Sequence, residues 1–121
     1  MADNPEHKKL LQVAALARED QAVADQYQGA LETLYEKVPD DPVVAADLSK
    51  CRVFRRLLYE LRLPLAPLVA AVENRDPVPA DFDPGAALRL LPEWETARAA
   101  FHGDYRAHKE YLEKLALRLV R

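Results

Sequence analysis

Between Leu10 and Val38 the apolar residues return every three or four positions, and that spacing narrows the fold class more than any other feature of the chain. The positions are Leu10, Val13, Leu16, Ala17, Val23, Ala24, Tyr27, Leu31, Leu34, Tyr35 and Val38. At 3.6 residues per turn they form one face of a helix. Arg18, Gln21, Asp25, Gln26, Gln28, Glu32 and Glu36 fall on the other side. Asp20 alone interrupts the apolar stripe. Asp3 or Asn4 can cap this helix, Pro5 suits its first position and Glu6 favours its positive end. Val38-Pro39 forces an extended conformation. A helix over 5–38 follows.

Asp41-Pro42 repeats the cap-then-proline signal and opens a second helix, expected over 42–63. Val43, Cys51, Val53, Phe54, Leu57, Leu58 and Leu61 cover half its circumference, enough for more than one neighbour. Leu63-Pro64 is read as its end or as a sharp kink. A third, short helix is expected over 65–74, with Leu65, Leu68, Val69 and Val72 on one side. Residues 75–84 hold three prolines and three aspartates and read as the longest loop. Phe82 inside it is expected to be tucked in. Asp83-Pro84 starts a short segment to Leu91, and Pro92 starts a last helix to Val120. Trp94, Ala97, Phe101, Tyr105, His108, Leu112, Leu115 and Leu119 give that helix a stripe like the first one.

No stretch alternates with a period of two, so no sheet is expected. The chain has 121 residues, three glycines and nine prolines, the prolines gathered at segment edges. One domain over 1–121, folded on a single core, is the expectation. It is an all-α antiparallel bundle of about five helices, two of them long and outer (5–38 and 92–120). The order is up-down-up-down, with the third element broken. The first and last helices would then run antiparallel. Aligned at their outer ends, facing residues sum to about 128 at equal rise. Leu34 then meets Trp94, Tyr27 meets Phe101, Val13 meets Leu115, and Asp20 meets His108.

Asp20 and His108 each sit mid-stripe, so a buried polar pair is expected of them. A lone buried carboxylate is costly without a partner. Such a pair can orient an imidazole as a base or form part of a ligand site, with Tyr27, Tyr105 and Arg98 close along the stripes. A buried polar pair also serves to fix helix register with no chemistry attached, and this is the expected use. Alternatively, Asp20 marks a helix break or a wet gap. No catalytic set is assigned.

Between Lys50 and Arg62 five basic residues face one acidic residue, Glu60. Arg52, Arg56 and Tyr59 share the exposed side, with Arg55 at its edge. Arginine beside an aromatic contacts phosphates and stacks on bases, and it is equally enriched at protein interfaces. The acidic first helix can also neutralise this face, since residues 1–41 carry nine acidic and four basic groups. The net charge of -3 gives no strongly basic field for nucleic acid or anionic membranes.

No His or Cys spacing fits a zinc site, no Glu-x-x-His suggests di-iron, and no phosphate loop or nucleophile motif occurs. Neither metal nor cofactor is expected. Cys51, the single cysteine, permits no internal disulfide and reads as a small core residue in a reducing compartment. The apolar run Leu63–Val72 is too short to span a bilayer. The polar start of the chain lacks a signal-peptide core. These features lead to a cytoplasmic, non-enzymatic helical module that binds a protein or a second copy of itself. A nucleic-acid-associated protein using the second helix, and a ligand-binding protein or enzyme around Asp20 and His108, are the alternatives.

Overall fold

The computed structural model describes residues 4–120. It is 85% helical, and no strand occurs among the described residues. The elements are α1 (Pro5–Lys37), α2 (Pro42–Glu73), α3 (Pro84–Leu88) and α4 (Leu91–Val120). The all-α bundle therefore stands, with four helices where about five were expected.

The local signals act as their chemistry requires. Asn4 Oδ1 accepts from the amides of Glu6 at 2.9 Å and His7 at 3.3 Å. Asp3, the other candidate cap, lies outside the described residues. Asp41 Oδ1 caps α2 by accepting from Val43 N at 2.9 Å and Val44 N at 3.1 Å. Each cap satisfies amides that the first turn leaves without partners.

The buried residues of α1 are Leu10, Val13, Ala17, Asp20, Ala24, Tyr27, Leu31 and Leu34. They alternate steps of three and four without a break, the seven-residue repeat of supercoiled helices. On α2 the residues Val44, Asp47, Cys51, Phe54, Leu58, Leu61, Leu65 and Leu68 do the same, all buried. This second stripe corrects one boundary. Pro64 does not end α2, because Leu65, Leu68 and Ala71 continue the buried face beyond it. The carbonyls deprived of amide partners by Pro64 and Pro67 belong to Glu60 and Leu63. Both residues are exposed, so water can take those carbonyls.

Joining the expected second and third helices removes one chain reversal and changes the direction of everything after it. Phe54 stacks on Phe101 at 4.6 Å, Lys50 reaches Asp104 at 3.3 Å, and Asp47 meets His108 at 2.7 Å. Numbers fall along α2 as they rise along α4, so these two helices are antiparallel. Arg98 bonds to Asp20 at 2.8 Å and Tyr105 lies 5.0 Å from Tyr27, so numbers rise together on α1 and α4. The long helices thus run up-down-up, with α1 and α4 parallel. The expected up-down-up-down order and the antiparallel match of first and last helices are replaced by this arrangement.

Between α2 and α3 the chain leaves its helix through a Schellman turn, with Asp76 N bonded to Ala71 O at 2.8 Å and Arg75 N to Val72 O at 3.2 Å. Arg75 takes the left-handed conformation there, at φ 56°. Val78 and Phe82 fold back onto the core, and the Phe82 ring meets His7 edge-on at 5.5 Å. Trp94, the first residue of the stripe expected on the last helix, is buried at the start of α4.

Candidate functional site

Two carboxylates lie inside this bundle, Asp20 at 2% and Asp47 at 3% exposure. Each occupies a stripe position that leucine or valine would otherwise fill. Each is answered by side chains from another helix.

Asp20, on α1, accepts from Arg98 Nε at 2.8 Å through Oδ2, while His102 Nε2 lies 2.9 Å from its Oδ1. The Arg98 guanidinium also stands over the Trp94 ring, 5.9 Å from its centre. Asp47, on α2, draws partners from both neighbouring helices. The Tyr27 hydroxyl donates to Oδ2 at 2.6 Å, and His108 Nδ1 lies 2.7 Å from the same oxygen. Oδ1 of Asp47 has no hydrogen-bond partner. Burial, reinforced by the Asp47 carboxylate, pushes the Tyr27 phenol far above its ordinary range, so it remains a donor. Its ring packs edge-on against Tyr105 at 5.0 Å and Phe101 at 5.9 Å.

The expected pairing of Asp20 with His108 does not form. His108 lies six residues beyond His102, about 9 Å further along α4 at helical rise. That places it level with Asp47 rather than Asp20. Of the residues grouped with the pair, Arg98 does reach Asp20, and Tyr27 and Tyr105 do meet, one heptad along. Tyr27 and Phe101 meet in either direction of α4, because they lie near the level where the two alignments cross. Asp47 and His102 were missed. Asp47 could have been found, since Val44, Asp47, Cys51 and Phe54 carry the same interrupted stripe that singled out Asp20.

Cys51 is buried below this site, and its thiol donates to Ala24 O at 3.4 Å. Burial pushes that thiol up to about 11, which keeps it a neutral core group. At the end of the bundle the Tyr111 hydroxyl donates to Oδ2 of Asp41. This bond, followed by the cap bonds, holds the Asp41 carboxyl below the usual range and raises the Tyr111 phenol.

The basic side of α2 is largely matched by nearby acids. Arg55 donates to Asp25 at 2.7 Å and to Gln28 at 2.6 Å; Arg52 approaches Glu32 at 3.8 Å and Arg56 approaches Glu60 at 3.4 Å. These arginines, with Tyr59 and Arg62, line an open groove against Gln21 and Gln28 of α1. Among the described residues no group of three or more His, Cys, Asp or Glu is placed to hold a metal ion. Among the described residues no helix is long and apolar enough to cross a membrane.

Fold and site together define a helical bundle with two polar layers inside an otherwise apolar core. Neither protein-family models, nor curated proteins, nor solved structures give a match to this chain.

Proposed function

We propose that the protein is a non-enzymatic, cytoplasmic interaction module that binds a protein partner through the outward side of α2. The observation that carries this reading is the strip Arg52, Arg56, Tyr59 and Leu63. Tyr59 is 63% and Leu63 55% exposed, and Arg52, Arg56 and Tyr59 border the open groove beside Gln21 and Gln28 of α1. Arginine and tyrosine beside an aliphatic anchor are the side chains that most often carry binding energy at interfaces. Large apolar side chains gathered on a charged face mark such surfaces. The buried carboxylates support the same reading, because their bonds run from helix to helix and serve to hold the scaffold in register.

Nucleic acid is the second reading, favoured by the same arginines and tyrosine. Asp25, Glu32 and Glu60 stand among them and reduce the local positive field. Tagged protein pulled down from native lysate, with and without nuclease, distinguishes the two when compared with a Tyr59→Glu/Leu63→Glu variant of unchanged helicity. Protein partners that survive nuclease and are lost with the variant are the expected result. Partners lost on nuclease treatment favour nucleic acid. Recovery of the chain's own second copy, matched by a concentration-dependent mass in light scattering, makes the module a homo-oligomer. Partners retained by the variant would overturn the assignment to α2.

A further inference from the structure

The ion pairs Arg55–Asp25 at 2.7 Å and Arg52–Glu32 at 3.8 Å cross between α1 and α2 beside the open groove, so both helices border that side. Each carries a second stripe there, outside its core stripe. On α2 it runs Arg52, Arg56, Tyr59, Leu63 and Ala66, all exposed. On α1 the exposed residues Ala15, Arg18, Ala22 and Gly29 share the face of Asp25. Both stripes alternate steps of three and four, the spacing along which another helix can lie. The ion pairs and ring contacts of α4 use other residues, Asp20 and Tyr27 of α1 and Asp47, Lys50 and Phe54 of α2.

The groove lining holds four arginines and no carboxylate. Arg52 and Arg56 approach acids only at 3.8 and 3.4 Å, which leaves most of the five donors of each guanidinium open. On α1 the exposed charges Glu19, Asp25, Glu32 and Glu36 are acidic. One side thus carries both signs on separate helices, and a second copy of it supplies the complement. A two-fold axis across the helices would lay α2 on α2, arginine against arginine. An axis along them lays the basic α2 of each copy on the acidic α1 of the other. Such an axis preserves levels, and facing residues of α1 and α2 sum to about 80 within one copy, hence also between copies. Arg56 then meets the partner's Asp25, and Tyr59 the partner's Ala22. Arg52 meets the partner's Gly29, above which the space is open. Large side chains face small ones, and the charges that meet are opposite. Helices of 33 and 32 residues present a face of about 45 by 20 Å, enough for the roughly 800 Å² per partner of a stable dimer. We infer, on the reading of the outward side of α2 as an interface, that its occupant is a second copy of the chain, with α2 of each copy antiparallel on α1 of the other.

Light scattering of the full chain across a range of concentrations should show the mass rise from one chain to two. Gly29→Arg favours the helix and meets nothing in its own copy, yet sets bulk and like charge against the partner's Arg52. It should weaken the dimer at least about tenfold at unchanged helicity. Arg56→Glu and Asp25→Arg should each do the same, because each homodimer then holds two like-charge contacts. An equimolar mixture of these two variants should dimerise again, since both contacts regain opposite charges. A single-chain mass at every concentration would overturn the inference. If lysate partners sensitive to Tyr59→Glu/Leu63→Glu were still found, the reading of α2 as an interface would stand without it. A dimer indifferent to Gly29→Arg, or a mixture that stays monomeric, would overturn the match of α2 with α1, and so would a mass that rises beyond two chains.

Discussion

His108 Nδ1 lies 2.7 Å from Oδ2 of Asp47, and this bond ties α4 to α2 one layer away from the carboxylate of Asp20. The two polar layers together specify which residues face each other along three nearly uniform apolar stripes. A slip of one heptad along α4 would put Leu115 or Phe101 where His108 meets Asp47, and would take both Arg98 and His102 away from Asp20. Such a mismatch is costly enough to select one register.

Double-mutant cycles test that arrangement directly. Asp47→Ala should cost about 2–3 kcal/mol, because it strands both the Tyr27 hydroxyl and the His108 imidazole. Asp47→Ala combined with His108→Ala should show a coupling of about 1–2 kcal/mol. Asp20→Ala combined with His108→Ala should be additive within about 0.5 kcal/mol, since those residues share no partner. Urea denaturation of the three single variants and the two doubles measures each quantity. Strong coupling between Asp20 and His108 would restore the antiparallel alignment of α1 and α4.

Alkaline pH should weaken the fold in a definite window. The Cys51 thiol rises from its ordinary value of 9.0 to about 11 on folding. Its folded value lies above its unfolded one, so the unfolded chain loses the proton first. The stability contributed by the neutral thiol is fully present below pH 9 and is lost as the pH rises through about 11. The Tyr27 phenol, raised by burial, acts in the same direction at higher pH. Melting temperatures of the wild type should therefore fall more steeply between these values than those of Cys51→Ala. Parallel pH profiles for the two proteins would show that Cys51 does not titrate on unfolding.

At the end of α2, Arg75→Gly should stabilise the protein. Arg75 holds φ 56° in the Schellman turn, a conformation that glycine adopts without steric penalty. The side chain is exposed and is not engaged in any ion pair of the turn. A gain of up to about 1 kcal/mol is expected, partly offset by the greater freedom of glycine in the unfolded chain. Thermal unfolding should then shift upward by a few degrees, about 4 °C per kcal/mol for a chain of this size.

The stripes were legible in the sequence because they recur at helical spacing in every long element. Their direction was not, because a repeat of three and four residues reads alike from either end. The order of the bundle therefore rested on counting reversals, and the count rested on Pro64. Caps at Asn4, Asp41 and Asp83 were legible from residue type alone, since each needs only a short acceptor side chain before a proline. His102 was missed for a different reason. It lies one position beside the stripe residue Phe101, and its partner is set by how α4 leans on α1, which spacing does not encode.

Pro64→Ala bears on that count most directly, because the two readings of residue 64 give opposite signs. If Leu63-Pro64 were a break between two helices, proline would restrict the unfolded chain at little cost to the fold. Its replacement by alanine would then destabilise by about 0.5–1 kcal/mol. In the continuous α2, Pro64 leaves the Glu60 carbonyl without its amide and crowds it, inside a helix whose face stays buried at Leu61, Leu65 and Leu68. Proline in a helix interior is disfavoured relative to alanine by about 3 kcal/mol. Here Glu60 is exposed, so water recovers part of that, and the freer unfolded chain removes about 1 kcal/mol more. A net stabilisation of about 1–2 kcal/mol is expected, read as a higher urea midpoint with an unchanged slope. Leu65→Ala, just beyond, should cost about 2–4 kcal/mol if its side chain packs in the core of one unbroken helix. A fall in midpoint for Pro64→Ala together with a near-neutral Leu65→Ala would mean that α2 ends at Leu63, and that the direction assigned to α4 is wrong with it.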